Sequence, residues 1–201
     1  MEKRCMGCMK TYNSEYDVCP YCGYVYGTPA KEAYHMKPRT VLHGKYIVGR
    51  VVGYGGFGVT YIGWDFVLEQ VVAIKEYLPS EFATRVPGEE TITVYSGEKE
   101  NQFAIGKDKF AEEAKKLAQF NAVEGVVEIK DTFLDNDTAY IVMEFLEGET
   151  LKERITREGK LSPEETLPII KSVLKTLQEV HKGDIIHRDI APDNIFLCSN
   201  G

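Results

Sequence analysis

The 201-residue sequence has no surplus of positive charge: 24 Lys and Arg stand against 31 Asp and Glu, a net charge of −7. A surface that binds polyanions needs the opposite balance, so nucleic acid and anionic membrane are excluded as general partners. No apolar run approaches the roughly 18 residues that cross a bilayer. Met1-Glu2-Lys3-Arg4 leads into cysteines rather than into the apolar core of a signal peptide. A cytoplasmic location without a membrane segment is expected. Cysteine is nearly absent beyond residue 22, where only Cys198 remains, read as a small residue in or beside a strand. With 43% hydrophobic and 27% charged residues, the chain can still bury the core of one domain or of two small ones.

What cysteine there is lies at the front. Cys5-Met-Gly-Cys8 and Cys19-Pro-Tyr-Cys22 are two C-x-x-C hooks separated by ten residues. Each hook aims two thiolates at one point, and two hooks close a tetrahedral sulfur shell around a metal ion. Gly7 and Gly23 suit the tight backbone of such knuckles. So short a segment buries too little to fold alone, so metal binding is expected to supply most of its folding free energy. Zn2+ is the expected ion. Iron in the same shell is one alternative, and two structural disulfides, disfavoured in a reducing compartment, are the other. Residues 1–26 resemble a short zinc ribbon, which implies the metal and offers a surface for a protein partner.

Residues 27–40 show neither strand alternation nor a helical stripe and carry Pro29 and Pro38, the composition of a linker. Because four thiolates complete the shell, His35 and His43 are expected to be surface histidines rather than ligands.

From Tyr46 the pattern turns to β-type. Tyr46–Val52, Val59–Trp64 and Val71–Lys75 are rich in β-branched and aromatic residues and predict an antiparallel meander. The first turn is a G-x-G-x-x-G run, Gly53, Gly55 and Gly58, with Phe57 at its tip and Val59 behind it. A dinucleotide fold needs such a run to open a helix, whereas a strand follows here, which points to a flap over phosphates or to a plain glycine-rich hairpin. Val72-Ala-Ile-Lys75 ends an apolar strand on a lysine. Residues 108–120 carry Phe110, Ala114, Leu117 and Ala118 at helical spacing, with Glu112 and Glu113 beside the stripe. A hairpin is expected in the long interval at about 78–106. Two further strands, 126–133 and Ala139–Met143, meet across Asp135-Asn-Asp137. Beyond Met143-Glu144-Phe145-Leu146 the pattern becomes helical. Thr150 with Glu153 and Ser162-Pro163 with Glu165 are start signals, the second helix reaching about Lys182.

The most specific stretch is His187-Arg-Asp189-Ile-Ala191-Pro-Asp-Asn194, followed by the apolar Ile195-Phe196-Leu197. An aspartate and an asparagine five apart on a tight loop put one carboxylate at an acceptor hydroxyl and one amide on a metal ion. Together with the glycine run and Lys75, in this order, residues 41–201 resemble the eukaryotic-like (Hanks-type) serine/threonine protein kinases of bacteria. The resemblance implies an α+β fold: a kinase N-lobe at 41–147, with a five-stranded antiparallel sheet plus one helix, then part of a helical C-lobe at 148–201. It implies ATP and Mg2+ as cofactors and a protein bearing Ser or Thr as substrate. Lys75 would grip the α- and β-phosphates and pair with Glu113. Gly53, Gly55 and Gly58 would cover the phosphates, and Val59, Ala73 and Phe196 would sandwich adenine. Met143 would be the gatekeeper, with Glu144 and Leu146 in the adenine-binding hinge. Asp189 would be the catalytic base, Asn194 a magnesium ligand, and Arg188 the partner of an acidic activation loop.

Two departures stand against that pattern. The lysine usual two residues past the catalytic aspartate is Ala191, and the arginine that replaces it in tyrosine kinases is Asp193. No D-F-G occurs anywhere in the 201 residues. The expectation is therefore the front of a kinase, inactive by itself and exposing the apolar face of Leu167, Ile170, Leu174 and Leu177. A pseudokinase or nucleotide-binding scaffold with a zinc-ribbon partner module is the alternative.

Overall fold

Two short strands frame the first cysteine hook: β1 (Glu2–Arg4) pairs antiparallel with β2 (Thr11–Asn13). The computed structural model describes residues 1–199. They form two units, residues 1–118 with 129–145, and residues 119–128 with 146 onward.

The body of the first unit is one antiparallel sheet, built from β3 (Val41–Leu42), β4 (Tyr46–Gly55), β5 (Gly58–Asp65) and β6 (Gln70–Tyr77), together with two later strands. A separate two-stranded hairpin, β7 (Ala83–Arg85) with β8 (Ile92–Val94), precedes helix α1 (Glu98–Leu117). The sheet is completed by β9 (Ile129–Asp135) and β10 (Thr138–Glu144), giving the order β3-β4-β5-β6-β10-β9. It has six strands where the sequence predicts five. The extra one is two residues long, too short to display alternation, and pairs across the turn with Tyr46 and Ile47. The β9–β10 turn falls at Asn136 and Asp137, both at positive φ, as a tight two-residue hairpin requires.

The expected hairpin at 78–106 is shorter than predicted, because residues 98–106 belong to α1. Gly106 reads as a breaker, yet a Cβ there would overlap the Tyr77 hydroxyl, so the glycine lets the helix approach the sheet. Phe103 and Phe110, two turns apart, then pack on the Tyr77 ring at centroid distances of 5.2 and 5.3 Å.

The ribbon is docked on this sheet. Met6 and Met9 bury their side chains against Ile62 of β5, with Ile47, Trp64, Val71 and Phe145 around them. Full burial of such a side chain contributes about 1.5–3 kcal/mol. Register shifts in β4 between Val48 and Val51 release the Arg50 backbone N–H from the ladder. It donates instead to the Met6 carbonyl at 2.8 Å, while Arg50 Nε donates to the Gly7 carbonyl at 2.9 Å. The Arg4 guanidinium lies 3.5 Å from the centre of the Trp64 ring.

The opposite face of the sheet carries a buried polar cluster. Glu76 accepts from Tyr61 Oη at 3.0 Å and from Tyr140 Oη at 2.7 Å, and it forms an ion pair with Arg85 of the β7–β8 hairpin. Arg85 also donates to the Tyr34 and Glu90 carbonyls. Residues 27–40 contain no helix or strand, but they are packed: the Met36 N–H donates to Tyr61 Oη at 3.0 Å. His35, expected at the surface, is buried, because this segment lies over the tyrosines of the sheet; His43 is exposed.

In the second unit, β11 (Gly148–Thr150) leads into α2 (Leu151–Glu158), and α3 (Pro163–Lys182) is followed by the loop to β12 (Phe196–Cys198), which pairs with β11. Both helices start on reciprocal capping boxes, Thr150 with Glu153 and Ser162 with Glu165, each satisfying two otherwise orphaned N–H groups. On α3, Leu167, Ile170 and Leu174 are exposed, and Leu177 is half-buried.

Candidate metal and nucleotide sites

The four N-terminal cysteines converge. Their Sγ atoms all lie within 4.8 Å of one another, with Cys5 to Cys22 at 3.6 Å and Cys8 to Cys19 at 3.8 Å. A tetrahedral shell with metal–sulfur bonds of about 2.3 Å has sulfur–sulfur edges of about 3.8 Å, so the donor set fits a four-thiolate metal ion. The Gly7 N–H donates to Cys5 Sγ at 3.2 Å, and a side chain on Gly7 would overlap Tyr24. Burial pushes the Cys5 thiol up to about 12 against the backbone N–H groups of Gly7 and Cys8. At Cys19 burial also acts upward, but N–H groups of Tyr21 and Cys22, with the neighbouring thiols, bring it down to about 7.

On the main sheet, cross-strand partners define which side chains share a face. One row runs Thr60–Lys75–Ile141 and the next runs Ile62–Ala73–Met143. The structure thus brings Lys75, Ala73 and Met143 together on one face, at neighbouring positions of β6 and β10. Glu144 ends β10, and Leu146 follows in the second unit. Val59 is not on that face. It is paired with Glu76, is 1% exposed, and points to the side of the tyrosine cluster. The residue on the Lys75 face is Thr60, which the sequence reading missed. A one-residue step along a strand reverses the side chain, and counting two residues from Gly58 would have found it.

Gly53 pairs with Thr60 and Gly55 with Gly58 at the end of the β4–β5 hairpin, with Phe57 exposed at its tip. A Cβ at Gly58 would overlap the Glu76 carbonyl oxygen, so packing demands that glycine. At Gly53, Gly55 and Gly56 a Cβ would meet nothing within 4 Å. Packing therefore does not explain these three, which face open space.

The expected ion pair between Lys75 and Glu113 is absent among the described residues. Lys75 Nζ lies 5.8 Å from the centre of the Phe110 ring, and Glu113 is on the exposed side of α1. The helix buries Phe103, Phe110 and Ala114, and Glu113 stands next to that stripe rather than within it.

In the second unit the loop 187–194 is drawn tight by its own ends. Asn194 Nδ2 donates to the Asp189 carbonyl and to Asp189 Oδ2, both at 2.9 Å, and the Asp189 N–H donates to His187 Nδ1 at 3.3 Å. Arg188 takes a positive φ of 65°. The Leu151 N–H bonds the Ile195 carbonyl at 2.8 Å, which ties the loop to the start of α2. With its amide nitrogen engaged, Asn194 leaves Oδ1 as the atom available to a metal. Phe196 begins β12 opposite Thr150 and is partly exposed.

The protein kinase domain model matches residues 46–201, more than half of the chain. The chain belongs to the protein kinase family. It is 34% identical over 160 residues to the serine/threonine-protein kinase PrkC of Bacillus subtilis, covering 80% of this chain and 22% of that protein. It is 34% identical over 163 residues to a probable serine/threonine-protein kinase of Streptomyces coelicolor, covering 80% and 21%. Among solved structures, the apo form of PpkA-294 superposes with a TM-score of 0.78 at 27% identity, covering 83% of this chain and 59% of that one. The chain thus spans about a fifth of the length of these curated relatives. Kinase membership places the sheet, α1 and the 187–194 loop in the family's architecture, while residues 1–45 precede the matched region.

Proposed function

We propose that this protein is an ATP-dependent serine/threonine protein kinase whose N-terminal ribbon holds a zinc ion. The observation that carries the reading is the Asp189–Asn194 clamp, which fixes a carboxylate and an amide oxygen on one short loop. Asp189 would accept the proton of the attacking hydroxyl, and Asn194 Oδ1 would hold Mg2+. Lys75, with Thr60, Ala73 and Met143 on its face, would bind the nucleotide beneath the open Gly53–Gly55 turn. Magnesium, when bound, neutralises the charge developing on the phosphates. The serine/threonine assignment is supported by the similarity to the two bacterial relatives, named as serine/threonine-protein kinases, and zinc by the four-sulfur donor set.

A second reading, a pseudokinase scaffold, is favoured by two observations: Ala191 stands where a cation is usual, and Glu113 does not engage Lys75. Phosphoryl transfer by the full-length protein from γ-labelled ATP with Mg2+ separates the readings, with Asp189→Asn as control. Label incorporation abolished by Asp189→Asn supports the kinase. Nucleotide binding without any incorporation overturns it in favour of the scaffold.

A further inference from the structure

Three segments of the first unit converge on one cavity of 430 Å³, a size within the range of about 300–1,000 Å³ usual for small-molecule sites. The ribbon contributes Met6 and Tyr24, the segment after it forms most of the wall, and the β7–β8 turn contributes Pro87 and Gly88. Every other lining residue precedes the matched kinase region, and none of Gly53, Lys75, Ala73 or Met143 takes part. Most of the cavity wall therefore lies outside the matched kinase region.

One side chain in its wall has unspent hydrogen-bonding capacity. His35 is 2% exposed. Its Nδ1 accepts the Glu32 backbone N–H at 3.2 Å, so the ring proton resides on Nε2, which makes that atom a donor. Nε2 is also the one buried side-chain polar atom without a hydrogen-bond partner among the described residues. Burial holds the ring below its ordinary pKa, which keeps it a neutral donor near pH 7. A buried donor left unpaired is costly, and its natural complement is an acceptor entering the cavity. The charged groups of the wall have the matching sign: Lys37 and Arg39 stand against the single carboxylate of Glu32. The remainder is apolar or uncharged, with Pro29 and Pro38 beside the ribbon residues.

We propose that this cavity is a binding site for a small organic anion. Its apolar body lies against Met6, Tyr24 and the prolines, and its carboxylate or phosphate accepts from His35 Nε2 and faces Lys37 and Arg39. Such a ligand would bridge the ribbon, the segment over the sheet and the β7–β8 hairpin, so its occupancy would be read by all three.

The test uses the full-length, zinc-loaded protein, with phenylacetate and phenyl phosphate as probes and phenylacetamide as the neutral control. Binding is followed by calorimetry and by the nitrogen resonances of the His35 ring. Expected is saturable binding of at least one anion with Kd on the order of 1 mM or tighter, a shift of the Nε2 resonance, and markedly weaker binding of the amide. Which anion prevails tells carboxylate from phosphate as the recognised group. Lys37→Glu, at an exposed position, should weaken binding about fivefold or more while leaving the melting temperature unchanged. His35→Phe should abolish binding, and if it does not fold, Lys37→Glu carries the test alone. Failure of both anions to saturate, equal binding of the amide, or indifference to Lys37→Glu would overturn the proposal.

Discussion

Met9 and Gly49 are in such close contact that a Cβ on the glycine would overlap both Met9 Cε and the Met6 carbonyl oxygen. A flexible methionine can retreat, but a backbone oxygen held by the Arg50 N–H cannot do so without moving the ribbon. Gly49→Ala should therefore cost about 1–3 kcal/mol, read as a lowered midpoint in urea unfolding.

Because the ribbon is seated through Met6 and Met9 on Ile62, whose cross-strand partner is Ala73, loss of metal should be felt in the sheet. Chelation, or Cys19→Ser, is expected to release the Met6 carbonyl and speed hydrogen exchange at the Arg50 amide, with protection at Ile74 in central β6 retained. Unchanged Arg50 protection in the chelated protein would show that the sheet holds the ribbon without metal.

The pair Glu76–Arg85 is almost wholly withdrawn from solvent, with side chains 0% and 1% exposed. Burial works against the Arg85 charge, but Glu76 outweighs it and raises the guanidinium pKa. Removing one partner strands the other, so Arg85→Leu should cost about 3–5 kcal/mol. The double variant Arg85→Leu with Glu76→Leu should recover part of that loss in chemical denaturation, because no charge remains buried.

His35 gives a pH signature with a definite sign. Its folded pKa lies below its ordinary value of 6.5, chiefly through burial, with Glu32 and Glu76 opposing and Lys31 and Arg85 adding to the effect. Below about pH 6.5 the unfolded chain takes up a proton that the folded chain refuses, so stability falls as the solution is acidified. His35→Gln should flatten that slope between pH 7.5 and 5.5, on the order of the ordinary titration range, when unfolding free energies of the two proteins are compared at each pH.

On the kinase reading, Ala191 leaves the transferring phosphoryl group one cation short. Ala191→Lys in the full-length protein should raise kcat for phosphoryl transfer about tenfold or more, whereas Lys75→Met should lower it by about a hundredfold. An Ala191→Lys protein no faster than its parent would mean that another group already supplies the charge.

Much of the fold was legible because its signals are local. The two hooks, the capping boxes at Thr150 and Ser162, the turn at Asn136–Asp137 and the spacing of Asp189 to Asn194 each reside in a few consecutive residues. The start of α1 was not legible, since residues 98–107 offer the single buried Phe103 and contain Gly106, whose use is to admit the Tyr77 hydroxyl. Nor was the face of Val59, which depends on a strand register that one residue reverses.

The sequence alone determined the kinase pattern, the four-thiolate hooks and the missing cation at position 191, because those depend on residue type and short spacing. Only the tertiary structure decided that the ribbon is seated on the sheet through Met6 and Met9, that Thr60 rather than Val59 shares the Lys75 face, that Glu113 stands apart from Lys75, and that His35 is buried with an unpaired Nε2. Each of these depends on how residues distant in the chain are placed against one another. Such placements arise from burying apolar and polar surface together, and that leaves no periodic trace in the segments that meet.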